Sequence, residues 1–168
     1  LQIYQKMNSY FLGIDIGSTS ITSIIIDTKK RKVVESSTVN NLAEVTKIKD
    51  KKLGRSEWDM HKIFNGVIET IKIIISKSNI SPEAIGITGQ QQGLQLVNKD
   101  NESVGHFISW QDQRCKEKFS NKTYIDIMAD MGGAMRSKNQ LPFFENTGCP
   151  LVTGYTAPLL FWLKKNKE

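Results

Sequence analysis

Apolar and polar positions divide the chain into strands and helices. Tyr10–Ile16 is an apolar run of β-formers that stops at Gly17-Ser18-Thr19-Ser20, and Ile21–Asp27 is a second, Ile-rich run. The polar turn Lys29-Lys30-Arg31-Lys32 leads into a third strand over Lys32–Val39. Connections this short predict an antiparallel meander. Residues 40–56 are polar and read as a long irregular loop. Met60, Ile63, Phe64, Val67, Ile68, Ile71, Ile74 and Ile75 then recur at helical spacing, and Asp59 is placed to cap that helix. Ser81-Pro82 closes it. Ala84–Thr88 reads as a buried strand ending in Gly89-Gln90-Gln91-Gln92-Gly93, Leu94–Val97 as another strand, and Asn98–Glu102 as a turn.

A strand–helix–strand step of this length implies a parallel crossover. The expected fold is therefore α/β: a meander extended by parallel strands through a helix, one half of a ribonuclease-H-like, actin-type architecture. Downstream, Ser109–Arg114 leads into a weakly patterned helical stretch at about 116–131, and Gly132–Asn146 reads as loop. A last helix is expected over Thr156–Lys165, with Pro158 in its first turn and Leu159, Leu160, Trp162 and Leu163 as its apolar surface.

Composition narrows the class. At 168 residues, 39% hydrophobic and 24% charged, the chain is one globular domain or part of a larger protein. Disordered, collagen-like and disulfide-scaffold classes are excluded. No stretch approaches the ~20 apolar residues of a membrane span, so no membrane partner is expected. The start LQIYQKMNSYFLG lacks the pattern of a secretory signal, which makes the expected location cytoplasmic. Residues 1–6 precede Met7, read as the natural start, so the domain is taken as 7–168.

The net charge of +6 resides in residues 29–55, which carry nine Lys/Arg and three Asp/Glu. A solvated hairpin tip and loop is preferred there over a phosphate-backbone surface, and nucleic acid is disfavoured as a partner. Cys115 and Cys149 have no histidines at ligand spacing and read as reduced thiols.

Three stretches could carry chemistry. In Gly13-Ile14-Asp15-Ile16-Gly17-Ser18-Thr19-Ser20, an Asp at a strand end precedes a Gly turn with hydroxyls. The backbone N–H groups and hydroxyls can donate to phosphate oxygens, and the carboxylate can serve Mg²⁺. A plain hairpin is the bland reading, and its place in the first hairpin favours phosphate. Gln90, Gln91 and Gln92 follow an expected parallel strand, where open α/β sheets place ligands, and carboxamides both donate to and accept from polyol hydroxyls. In Trp110-Gln111-Asp112-Gln113-Arg114, the Trp can face a sugar ring while Asp112 and Arg114 bind hydroxyls. An Asp112–Arg114 pair bracing a loop beside a core Trp is an equal reading. His61 and His106 have no evident acid or nucleophile beside them.

GIDIGSTS, ITGQQQG, SWQDQRC and TGYTAPLLFWLKKN, in this order and spacing, resemble the N-terminal domain of the FGGY carbohydrate kinases. The last two motifs look closest to its sedoheptulokinase branch. The resemblance covers about Phe11 to Asn166, and its early motifs are common to sugar kinases, actin and Hsp70. It implies transfer of the ATP γ-phosphoryl group to a sugar hydroxyl in a cleft between two actin-like domains. Asp15 would serve Mg²⁺; Gly17, Ser18, Thr19 and Ser20 the phosphates of ATP; and Gln90, Gln91, Gln92 and Trp110 the sugar. Asp112 and Arg114 would lie at the rim of the sugar pocket. Gln91 and Gln92 replace the Met-His pair of many relatives, which leaves the sugar open between sedoheptulose, xylulose and other ketoses.

The resemblance also places the catalytic base beyond Glu168, so no residue of this chain is assigned that role. The missing C-terminal part of the kinase is an expected partner, and the chain alone is expected not to turn over. A homodimer is left open. Two rival readings remain. A ribonuclease-H-like nuclease would share Asp15 and use the basic 29–55 segment, but needs further carboxylates where Gln90 stands. A non-catalytic actin-like binding fragment would expose apolar surface and self-associate.

Overall fold

The computed structural model describes residues 9–131 and 151–166. In chain order the elements begin β1 (Tyr10–Ile16), β2 (Ser20–Asp27), β3 (Lys32–Asn40), α1 (Ile48–Lys51), β4 (Glu57–Trp58), α2 (Met60–Ser78) and β5 (Ala84–Gly89). They continue β6 (Gly93–Val97), β7 (Ser103–Ser109), a 3₁₀ turn (Arg114–Lys116), β8 (Lys118–Phe119), β9 (Lys122–Thr123), α3 (Tyr124–Met131) and α4 (Thr156–Asn166). They form two compact units. One holds the described residues through Ala43 together with Met60–Gln90, the other Glu44–Asp59 together with the described residues from Gln91 on.

The first unit is a four-stranded mixed sheet in the order β3-β2-β1-β5. The meander is antiparallel, and β5 joins β1 in parallel after the α2 crossover. Alternation sets the faces. Leu12, Ile14, Ile21 and Ile25 are buried on one side, and α2 covers that side of β2 and β3 with Ile63, Thr70 and Ile74. The Thr70 and Ser23 hydroxyls meet at 2.7 Å inside this seam. At the β2–β3 turn, Asp27 accepts the N–H groups of Lys29 and Lys30, both at 3.0 Å.

Two expectations for the sheet are corrected. The strand read as buried, β5, is exposed along its length, with Ile85 at 56% and Ile87 at 68%. It lies at the sheet edge, paired only with β1, while α2 covers β2 and β3. The strand after the glutamines, β6, does not extend this sheet. It belongs to the second unit.

That unit contains a three-stranded antiparallel sheet in the order β4-β7-β6. Its core is Leu94, Ile108, Cys115, Tyr124, Leu159, Trp162 and Leu163. The predicted terminal helix forms as α4. The stretch expected as helix from 116 to 131 is helical only from Tyr124. Before it, Ser120 at φ +61° turns the chain into the β8–β9 hairpin. Thr123 and Asp126 then start α3 by reciprocal capping: the Asp126 N–H donates to Thr123 Oγ1 at 3.1 Å, and the Thr123 N–H to Asp126 Oδ2 at 3.3 Å. The 40–56 loop is more ordered than its composition implies, with α1 and a bridge from Glu44 to Trp58. The 132–146 loop, Cys149 and residues 1–7 lie outside the described residues.

Candidate functional site

The first unit gathers Asp15, Gly17, Ser18, Thr19, Ser20 and Gln90. Because β1 and β5 are parallel, with Ile16 beside Gly89, the Gly17 turn and Gln90 leave the same sheet end. The Gln90 N–H donates to the Ile16 carbonyl at 3.0 Å. Asp15 is exposed, and its carboxylate makes no hydrogen bond or ion pair among the described residues. The turn itself is rigidly held. The Gly17 N–H closes it on the Ser20 carbonyl at 2.9 Å, and Asn41 Nδ2 donates to the Gly17 carbonyl at 2.8 Å. The Asn41 N–H donates to the Thr19 carbonyl at 2.9 Å. With its carbonyls so engaged, the turn leaves the Ser18 and Thr19 N–H groups and hydroxyls without partners among the described residues. These are donors suited to an anion.

The buried Gln90 Oε1 also lacks a hydrogen-bond partner among the described residues. A buried acceptor left in this state costs free energy until a donor arrives. Magnesium typically takes one or two carboxylates plus substrate phosphates and keeps several waters. One open carboxylate beside a donor-rich turn and an unpaired acceptor fits that need. Among the described residues, no three His, Cys, Asp or Glu side chains converge on one point. The strand neighbours of Asp15 are Thr22 and Thr88, hydroxyls where the nuclease reading wants acids.

The second unit holds Gln91, Gln92, Trp110, Asp112 and Arg114, in two different situations. Gln91 and Gln92 are exposed, and Trp110 is 44% exposed. Gln92 stands at φ +70°, followed by Gly93 at +122°, so a non-glycine residue is held in the left-handed region at a candidate contact. Asp112 and Arg114, expected at a pocket rim, are buried at 0% and 2% exposure. Asp112 accepts from Arg114 Nε at 2.9 Å, Arg114 N at 2.8 Å, Arg114 Nη2 at 3.0 Å and the Ser56 N–H at 2.8 Å. Those four bonds fill a carboxylate's acceptor sites. Arg114 Nη2 also donates to Glu57 at 2.7 Å. Burial works against its charge, but the Asp112 bonds and charge, then Glu57, outweigh it and raise the guanidinium above its ordinary pKa.

The structure thus realises the Asp112–Arg114 pair, but the tryptophan of that stretch, Trp110, is half exposed, and the buried ring beside the pair is Trp162. The guanidinium carbons of Arg55 and Arg114 lie 4.7 and 5.1 Å from that ring. Thr153 Oγ1 donates to the Asp112 carbonyl at 2.7 Å, and Gly154 packs so closely on Trp110 that a Cβ there would overlap the Trp110 carbonyl. Beside the pair, the buried Cys115 thiol is pushed up to about 12 by burial, then by the Asp112 charge. Sequence reasoning missed Asn41 and Glu57. Both lie in or beside the segment read as irregular, and nothing local marks an Asn that braces a turn 24 residues away.

A mixed sheet whose parallel pair ends in an open aspartate and a glycine–hydroxyl turn defines a half-domain of the ribonuclease-H-like, actin-type class. Within that class, the chain belongs to the FGGY family of carbohydrate kinases: residues 10–168 match its N-terminal domain. The chain is 30% identical over 162 residues to the probable L-xylulose kinase of Haemophilus influenzae, covering 94% of this chain and 30% of that protein. It is 28% identical over 162 residues to the xylulose kinase of Staphylococcus xylosus, covering 95% and 30%. The gluconate kinase of Lactobacillus acidophilus shares the structure with a TM-score of 0.74 at 25% identity, covering 94% of this chain and 28% of that one. The Plasmodium falciparum glycerol kinase solved with ADP has the same fold, with a TM-score of 0.64 at 20% identity, covering 94% and 29%. The chain spans about 30% of the length of the curated relatives it matches.

Proposed function

We propose that the protein transfers the γ-phosphoryl group of ATP to a hydroxyl of a ketose or polyol, with these 168 residues supplying the phosphate and metal end of the site and part of the sugar end. The open Asp15 carboxylate beside the Asn41-braced Gly17–Ser20 turn carries this reading. Phosphoryl transfer is largely positioning and charge stabilisation, with a carboxylate to accept the hydroxyl proton. Magnesium, when bound, neutralises charge on the phosphates. Ser18 and Thr19 fix the phosphate oxygens through N–H and hydroxyl donors, and Asp15 holds the cation side in place. The proton-accepting carboxylate is assigned to a part of the kinase outside these residues. Such an enzyme works in the cytoplasm, where ATP is held.

In the second unit, Gln91, Gln92 and the open face of Trp110 are the sugar contacts; in the first, Gln90 Oε1 accepts from a hydroxyl or a metal-bound water. Asp112 and Arg114 act from behind by fixing the loop that carries Trp110. The Trp110–Cys115 and Thr153–Asn166 stretches favour sedoheptulose. Relatives whose names specify xylulose support xylulose as the second reading. ADP release by the full-length protein, measured with sedoheptulose, xylulose, ribulose and glycerol in turn, ranks the substrates. D15N should lower kcat by at least about 100-fold with every active sugar. Unchanged turnover in D15N, or no turnover with any of the four, would overturn the proposal.

A further inference from the structure

On the sheet face away from α2, Asp15 has a threonine on either side. The antiparallel register sets Thr22 of β2 opposite Asp15, and the parallel register sets Thr88 of β5 beside it. Residues paired in this way project to one face, with Cβ atoms ~5 Å apart. The row continues to Thr38 of β3, which is opposite Thr22, and the two hydroxyl oxygens lie 3.0 Å apart. Asp15, Thr38 and Thr88 are exposed, and Thr22 is half-buried. Elsewhere the same face of β1 and β2 carries Phe11, Gly13, Ile24 and Ile26, with Ser20 at the start of β2 and Ser36 of β3 opposite Ile24.

A magnesium ion held by one carboxylate and phosphate oxygens retains water, and each water needs acceptors for its hydrogens. Hydroxyl oxygens on both neighbouring strands supply them without adding charge. A site with a single formal negative charge suits a cation that arrives with its own phosphates, where a second carboxylate would repel them. We propose that Thr22 and Thr88 hold the water shell of the cation that Asp15 serves. In this arrangement the Thr22 hydroxyl donates its hydrogen bond to Thr38 Oγ1, so that the Thr22 oxygen is left to accept from water. The inference rests on the phosphoryl-transfer reading of Asp15.

The test uses Mn²⁺ as the probe, titrated into the intact protein in the presence of ADP. Bound metal is read from loss of the free-ion paramagnetic resonance signal, and its exchanging waters from water-proton relaxation. T22V and T88V keep shape and β-branching. Each should weaken Mn·ADP binding about 5-fold, the worth of one hydrogen bond, and change the relaxation per bound ion. T22S should restore binding, and S36A, elsewhere on β3, should leave it unchanged. Unfolding midpoints check that each variant is folded. If T22V and T88V bind as wild type while D15N loses binding, the hydroxyl inference is overturned and the Asp15 reading stands. Should T22S share the loss, the effect is packing, and the inference is again overturned. If D15N also binds as wild type, the Asp15 reading falls and takes the inference with it.

Discussion

Asp15 and Asp112 stand in opposite conditions in the two units. Each is an aspartate in a short motif with glycine or arginine close by, and the sequence offers both as ligand contacts, Asp112 equally as a loop brace with Arg114. Asp15 is exposed and uncommitted among the described residues, whereas Asp112 is wholly buried and engaged by four protein donors. On the proposed reading, a carboxylate reserved for a ligand keeps its lone pairs open and stays hydrated until the ligand arrives. One that builds a scaffold is desolvated and must be fully paired. Residue type and motif do not separate the two. Burial and partner count do.

The comparison predicts its largest contrast in stability. D112N leaves Arg114 buried with only Glu57 opposite, and should cost about 3–5 kcal/mol in urea unfolding. D15N should change the same midpoint by less than about 0.5 kcal/mol while abolishing metal–nucleotide binding. Similar losses in both variants would erase the distinction. Next comes G154A, whose methyl must displace the Trp110 backbone. A loss of about 1–3 kcal/mol is expected, accompanied by weaker sugar binding, because the loop presenting Trp110 shifts. In the first unit, N41A frees the Gly17 carbonyl and should cost about 1 kcal/mol. Calorimetry with ADP should show a larger proportional effect on affinity than on stability, since the loosened turn must be re-ordered by the phosphates.

The smallest effect is on pH dependence. Cys115 has its thiol raised from near 9 to about 12, so the folded state favours the neutral form. Its contribution is complete below about pH 9, where the unfolded thiol is also neutral. It is lost progressively as pH rises toward 12, because the unfolded chain ionises first. Alkylation of the Cys115 peptide, followed by mass spectrometry, should be slow in the native protein at pH 8 and fast in urea. Rapid native labelling would show that the Asp112 side of the comparison is open after all.

Much of the first unit is legible in the sequence. The Ile-rich alternation of β1 and β2 and the stripe of α2 locate the first unit because its strands and helix bury one continuous apolar face. β7 was not legible, since Val104 stands alone among Ser103, Gly105 and His106, and the adjacent Phe107 and Ile108 follow no period-two alternation. The β8–β9 hairpin was hidden for a related reason: a two-residue strand has no period to read, and Ser120 gives no glycine signal for its positive φ. At the site, Asp15 and its turn were legible from local chemistry. For Asp112 the pairing with Arg114 was legible as one of two equal readings, but its burial was not, because that depends on Ser56, 56 residues away, and on Glu57 completing the Arg114 contact.

All three tryptophans, Trp58, Trp110 and Trp162, fall in the second unit. Indole emission, excited to the red of tyrosine, is therefore an optical report on that unit. Trp58 and Trp162 are buried and supply a blue-shifted background, Trp162 beneath two guanidinium groups. Trp110, half open to water, is the fluorophore whose colour a sugar stacked on its face would change. On the proposed reading, nucleotide at Asp15 has no indole in its own unit, so the sugar is followed by tryptophan and the nucleotide by a fluorescent ADP analogue.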